Sequence, residues 1–285
     1  MPLRPLLALA LVASLLTPSC KADDTAPGPD AGAAPDGGDA GGPCTVLFGR
    51  PNASTGLGSD QCQPQCVCEG KDFVPPTYSA AFIQSLVDDW VPSKPYAPLT
   101  SDPYAKPPPA DDPPGTVCAV LPQGSAGTKP RPYELVTYAS QDAALAAGAK
   151  VTHFGHCGVC STLANLAVYM KNDDLAGPVR SCGLLAGPDG GGDVPCLEQL
   201  GFDLPCAQAW AYDTANTRSL CLQICLSTTD TYNMPDGSLA PCIACDEDKS
   251  GPVFKAVAGR TRRNSGIPNA ICRPCDQVQP LVHDY

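Results

Sequence analysis

Two of the chain's three histidines, His153 and His156, stand directly before a CxxC pair, Cys157 and Cys160. Imidazole and thiol side by side admit three chemistries. A thiolate at Cys160, with His153 or His283 as its base, would be a nucleophile for acyl transfer. A Cys157–Cys160 pair at the start of a helix would exchange with other thiols, because exposed N–H groups and the helix dipole stabilise a thiolate there. Two imidazoles and two thiolates, from His153, His156, Cys157 and Cys160, would make a soft site for zinc or copper. The plainest alternative is that both cysteines are half-cystines pinning a loop to a helix.

A second group is basic. Lys255, Arg260, Arg262 and Arg263 form the only dense basic cluster in a chain of net charge -11. Arginine forks suit carboxylate or phosphate. The cluster is therefore a candidate site for an anionic small molecule or a protein partner. Internal pairing with Asp246, Glu247 and Asp248 is the competing role. The glycine-rich run over 181–193 has neither GxGxxG nor a GK[ST] ending, so it is a poor phosphate cradle.

The elements that would position these groups follow from periodicity and punctuation. Leu163, Leu166, Ala167 and Met170 fall at i, i+3, i+4 and i+7, which predicts an amphipathic helix from Ser161 onward. Ser79 predicts the start of a helix over 78–90, with Phe82, Ile83, Leu86, Val87 and Trp90 on one face. Tyr133–Tyr138 alternates like a strand, Ser140–Gly148 reads as a short capped helix, and Lys150–His153 as a second short strand. Asp193 and Asp203 each sit before a proline-bearing helix start, one short and one reaching about Leu226. From Pro92 to Pro132, 12 of 41 residues are proline, which predicts an extended segment without regular elements. Residues 229–285 are expected to hold little regular structure.

Two local resemblances add expectations. Gly155-His156-Cys157-Gly158-Val159-Cys160-Ser161 resembles the stretch at the start of the central helix of papain-like cysteine proteases. That resemblance implies a bridged Cys157 and a nucleophilic Cys160. It departs from the family at Phe154, where the oxyanion-hole glutamine belongs, and at Ser161, where an aromatic residue belongs. At the other end, Arg4, the apolar run Leu6–Leu16 and Leu16-Thr17-Pro18-Ser19-Cys20 resemble a bacterial lipoprotein signal with a relaxed lipobox. The resemblance implies lipidation at Cys20 and a membrane partner through that anchor. The run is too short to span a bilayer as a helix. Residues 21–43 carry no aromatic or branched aliphatic residue and read as an acidic, disordered tether.

Composition bounds the rest. The chain has 285 residues and 17 cysteines, with 6% aromatic residues. Setting Cys20 aside leaves 16 cysteines, enough for eight disulfides in an oxidising compartment. The acidic charge argues against nucleic acid as a partner. The expectation is a disulfide-rich α+β fold, mostly helical, with a few short strands and long Pro/Gly-rich loops. Its order is a signal (1–19), a tether (20–43), a small Cys-rich module (44–91), a Pro-rich segment (92–132) and a main domain (133–285). The protein is expected outside the cytoplasm, lipid-anchored at an outer membrane or cell surface. No cofactor is required unless the zinc or copper alternative holds. Function is narrowed to a binding or interaction domain, with the Cys160 hydrolase, thiol–disulfide exchange and metal binding as alternatives.

Overall fold

Local caps begin the helices where the sequence places them. The Ser79 hydroxyl accepts from the Phe82 N–H and starts α1 (Ala80–Asp88). Ser140 does the same at Ala143 for α2 (Gln141–Ala146). The third helix, α3 (Leu163–Lys171), is capped by Thr162 through the Asn165 N–H, one residue later than Ser161 would have it. Each such cap satisfies a backbone donor that a helix start leaves open. The computed structural model describes residues 46–68, 70–109, 112–185, 193–227 and 231–285. Cys20, Cys44, the apolar N-terminal run and the tether lie outside the described residues.

The strands are short. β1 (Leu47–Phe48) lies between β2 (Cys62–Gln63) and β9 (Arg273–Pro274), parallel to the first and antiparallel to the second. β3 (Cys66–Cys68) and β4 (Lys71–Phe73) form a hairpin. The main sheet has the order β5-β7-β6-β8, from Trp90–Pro92, Arg131–Tyr138, Val117–Pro122 and Lys150–Phe154. β6 is antiparallel to both neighbours, with a register shift at Cys118/Ala119 against β8.

Five more helices follow: α4 (Ala176–Leu185), α5 (Asp193–Gln199), α6 (Leu204–Ser227), α7 (Pro241–Lys249) and α8 (Gly251–Ala258). The fold is disulfide-rich α+β and mostly helical. α3 is not amphipathic: seven of its nine residues are buried, polar Asn165 among them. The core joins Leu86 of α1, Val120 and Tyr133 of the sheet, the length of α3, Cys206–Ala211 of α6 and Phe254 of α8. Burying Leu163, Leu166, Val168 and Met170 supplies roughly 6–12 kcal/mol of transfer free energy, an upper figure. Asn165 is satisfied by Asp203, whose N–H and carboxylate bond its side-chain amide at 3.1 and 2.9 Å. The same carboxylate accepts from the Cys206 N–H at 3.1 Å, so one aspartate ties the N-terminal ends of α3 and α6.

Three expectations fail here. The Pro-rich segment carries β6, because the run from Gly115 to Leu121 is free of proline and its prolines crowd on either side. Ala176–Leu185 forms α4, with Pro178 in the first turn, where its missing N–H costs nothing. The region after residue 229 holds α7 and α8, each with proline at its start. Nor is 44–91 a separate module. All described residues fall in one compact unit, Gly41–Tyr285, and Cys62 and Cys66 are bonded to Cys272 and Cys275.

Candidate functional site

Every cysteine among the described residues is oxidised. Cys157 is bonded to Cys118 of β6 and Cys160 to Cys206 of α6. A disulfide sulfur has no thiolate to give, so Cys160 is not a nucleophile here. Cys157 and Cys160 are not bonded to each other, which removes the exchange pair. It also removes both thiolates from the proposed zinc or copper set. Among the described residues no group of three or more His, Cys, Asp or Glu side chains is placed to hold a metal. The loop instead docks on the end of α8: the Val159 and Cys160 N–H groups donate to the Val257 and Ala258 carbonyls at 3.0 and 2.9 Å. A Cβ on Gly158 would stand 2.4 Å from the Val257 oxygen, so only glycine fits that approach.

The histidines are structural. His153 is fully buried. Its Nδ1–H donates to the Phe154 carbonyl at 3.0 Å, which leaves Nε2 to accept from the Ser161 hydroxyl at 2.7 Å. His156 lies between the Asp112 carboxylate, 2.8 Å from Nδ1, and the Ala256 carbonyl, 2.8 Å from Nε2. His283 donates from Nε2 to the Ser265 carbonyl at 2.9 Å.

The basic cluster does not converge on an anion. Arg260 is fully buried and spends its guanidinium on the Cys160, Thr152 and Ser161 carbonyls and the Thr152 and Ser265 hydroxyls. Arg262 donates to the Asn172 and Pro268 carbonyls and stacks over Tyr169 at 5.5 Å. Arg263 pairs with Glu247 at 2.6 Å, which is the internal pairing expected as the competing role. Lys255 is exposed.

Burial, together with the Arg260 charge, pulls the His153 ring well below its ordinary 6.5 and His283 down to about 3. Both rings are neutral in the folded protein and take a proton on unfolding. The unfolded chain therefore binds more protons between about pH 3 and 6.5, and stability falls as pH drops through that window. The slope is up to ~1.4 kcal/mol per pH unit for each ring. Asp213 and Asp246 are pushed the other way, up from 3.8 by burial, and the stability they contribute is lost as pH rises through their folded values. Urea midpoints should drop from pH 6.5 to 4.5, and His283→Gln, which keeps a donor for Ser265, should flatten that drop. An unchanged slope in the variant would count against the assignment.

What the structure does open is a cleft of about 1020 Å³ bounded by α4, α6, α7, α8 and the segment 261–279. One face of α6 supplies Trp210, Asp213, Thr214 and Thr217, at i, i+3, i+4 and i+7. Val179 and Leu184 of α4 and Leu222 and Leu226 of α6 make an apolar wall. Disulfides Cys221–Cys245 and Cys225–Cys242 fix α6 against α7, so Asp213 and Asp246 face the same space. Asp246 accepts from the Thr217 hydroxyl. Glu247 bridges Arg263 and Arg273 at 2.6 and 2.5 Å. Sequence reasoning missed the cleft. Its one signal was the Trp-Asp-Thr-Thr spacing on α6, ahead of two cysteines four apart.

A chain closed by this many disulfides belongs to an oxidising, extracytoplasmic compartment. Among the described residues no helix is long and apolar enough to cross a membrane. Residues 192–281 match the model of a family of unknown function (DUF8771). That span includes α6, α7 and α8, and with them most of the polar side chains of the cleft. No curated protein and no solved structure matches the chain.

Proposed function

We propose that this chain is a lipid-anchored extracytoplasmic binding protein, held at the outer membrane or cell surface through Cys20, with the α4–α6–α7–α8 cleft as its ligand site. The observation that carries the binding reading is the cleft itself. It is of the size that takes a small molecule, and its lining sets aliphatic and aromatic side chains beside many polar and charged ones. Rigid walls suit such a role, because a preformed site loses little free energy to ordering on binding. The anchor is supported by the apolar run ending at Cys20 and by the tether to residue 43, which would hold the domain clear of the bilayer.

Two measurements test this. Grown with an alkyne-bearing fatty acid, the full chain should take up the label and fractionate with membranes, and Cys20→Ser should lose both. A soluble, unlabelled wild-type protein would end the anchor reading. For binding, the Cys20→Ser protein is melted against a panel of sugars, amines, carboxylates and fatty acids. At least one class should raise the midpoint, and Leu222→Trp, which fills the exposed wall of the cleft, should abolish that rise. A rise that survives Leu222→Trp would place the ligand elsewhere.

A further inference from the structure

The inner end of the cleft has an electrostatic deficit that the protein does not itself fill. Asp213 is 7% exposed, and its Oδ1 accepts from the Tyr104 hydroxyl at 2.9 Å. Among the described residues no Lys, Arg or His forms an ion pair with it. The charges that bear on it most are carboxylates, Asp246 and then Glu247. Asp246 is answered at longer range by Arg273 and Arg180, and Glu247 directly by two arginines. Asp213 has no such answer. A buried carboxyl beside a second one, without a cation, is costly in its charged form.

Aromatic side chains line the same cleft. Trp210 sits one turn before Asp213 on the same face of α6. The Phe254 ring lies 4.5 Å from it and Tyr169 6.4 Å, centroid to centroid, and all three rings line the cleft. Tyr169 is 2% exposed, its ring is covered by the Arg262 guanidinium at 5.5 Å, and its hydroxyl faces the Trp210 indole N–H.

We propose that the Asp213 end of the cleft is a subsite for an organic ammonium group, with Trp210 and Phe254 as its aromatic walls and Asp213 as its counter-ion. The inference rests on the cleft being a ligand site. Cation and ring quadrupole attract, and alkylated ammonium is the cation whose shape and weak hydration suit such walls. A bare metal ion finds too few oxygens. A sugar would need many free donors and acceptors, and the hydroxyls here are already committed: Thr217 to Asp246 and Ser250, Tyr104 to Asp213. An anion would meet Asp213 and Asp246 at close range. The cleft also holds Arg180, Arg218, Lys255, Arg262, Arg263 and Arg273, none of them ion-paired with Asp213; of these Lys255 has no carboxylate partner of its own among the described residues and can meet an anionic group on the same ligand.

The test uses the detergent-solubilised full chain and two probes of one shape, choline and its uncharged carbon isostere 3,3-dimethylbutan-1-ol, at matched ionic strength. Choline should bind at least tenfold more tightly than the isostere. Because ammonium binding draws a proton off Asp213, choline affinity should rise with pH, while that of the isostere stays flat. Asp213→Asn keeps an acceptor for Tyr104 and stays neutral at every pH, so it should fold; it should cost choline at least tenfold and spare the isostere. Equal binding of both probes, or choline binding indifferent to Asp213→Asn, would overturn the proposal. If choline fails while another class still binds in a manner blocked by Leu222→Trp, the ammonium subsite is wrong and the cleft reading stands. If nothing in the panel binds, both fall.

Discussion

Arg260→Met is expected to lower the melting midpoint by about 10–15 °C, the change that corresponds to some 3–5 kcal/mol in a domain of this size. The guanidinium is fully buried, without a carboxylate, and all its hydrogen bonds go to the loop that carries Cys160, to Thr152 and to Ser265. Burial draws its pKa down only to about 10, so it stays charged at neutral pH. Methionine fills much of the same volume and supplies no donor. Three backbone carbonyls and two hydroxyls then lose a donor where water cannot replace it, at about 1–3 kcal/mol for each group that fails to find another. Arg260→Lys should recover little, because three N–H groups on one atom cannot reach acceptors spread around a planar fork. Arg263→Gln, half-exposed and paired to Glu247, should cost under about 1 kcal/mol. Calorimetry of the three variants checks the order. An Arg260→Met protein that melts within a few degrees of wild type would show that the loop is held by something else.

Removing both Cys62–Cys272 and Cys66–Cys275 should cost well over twice what removing either one costs. The two bridges close nearly the same loop, of sequence separation 210 and 209. While one remains, the other closes only the short ring between Cys62 and Cys66 and between Cys272 and Cys275. Loop-closure entropy for such a ring is about 2–3 kcal/mol, against about 5 for the long loop. Each single removal should therefore cost about 2–3 kcal/mol and the double removal about 7. Denaturant midpoints of the two paired Cys→Ala variants and of their combination measure this. Simple additivity would mean that the unfolded chain is already held together near those ends.

Much of the fold was legible in the residues that cap and punctuate it. Ser79, Ser140, Asp203 and the alternation of Tyr133–Tyr138 placed their elements to within a residue or two. Proline misled where it was read only as a breaker. Pro178, Pro241 and Pro252 each lie in the first turn of a helix, where the residue is welcome, and the strand Val117–Pro122 falls in the gap between two proline clusters. The α3 stripe was real, yet burial on every side follows from what packs around the helix, which periodicity does not report. Cysteine spacing misled differently. None of the CxxC pairs 157/160, 242/245 and 272/275 bonds internally; each spreads its two sulfurs to two other places in the chain. The crowding of His153 and His156 marked a true centre of the molecule, but one of hydrogen bonds. The cleft stayed hidden because its residues come from five helices and several separate strand and loop segments that only the tertiary fold assembles.

The two bridges from β2 and β3 to the residues flanking β9 also constrain how the protein is made. A chain threaded through a membrane from its N-terminus delivers Cys62 and Cys66 some two hundred residues before Cys272 and Cys275. In the interval β1 lacks β9, and two thiols wait in an oxidising space while other cysteines arrive beside them. Pairing in order of appearance would give the wrong bonds. Correct closure calls for reshuffling by thiol–disulfide exchange, so the yield of native protein should depend on an isomerase in the compartment that receives it more than on the oxidant that first forms the bonds.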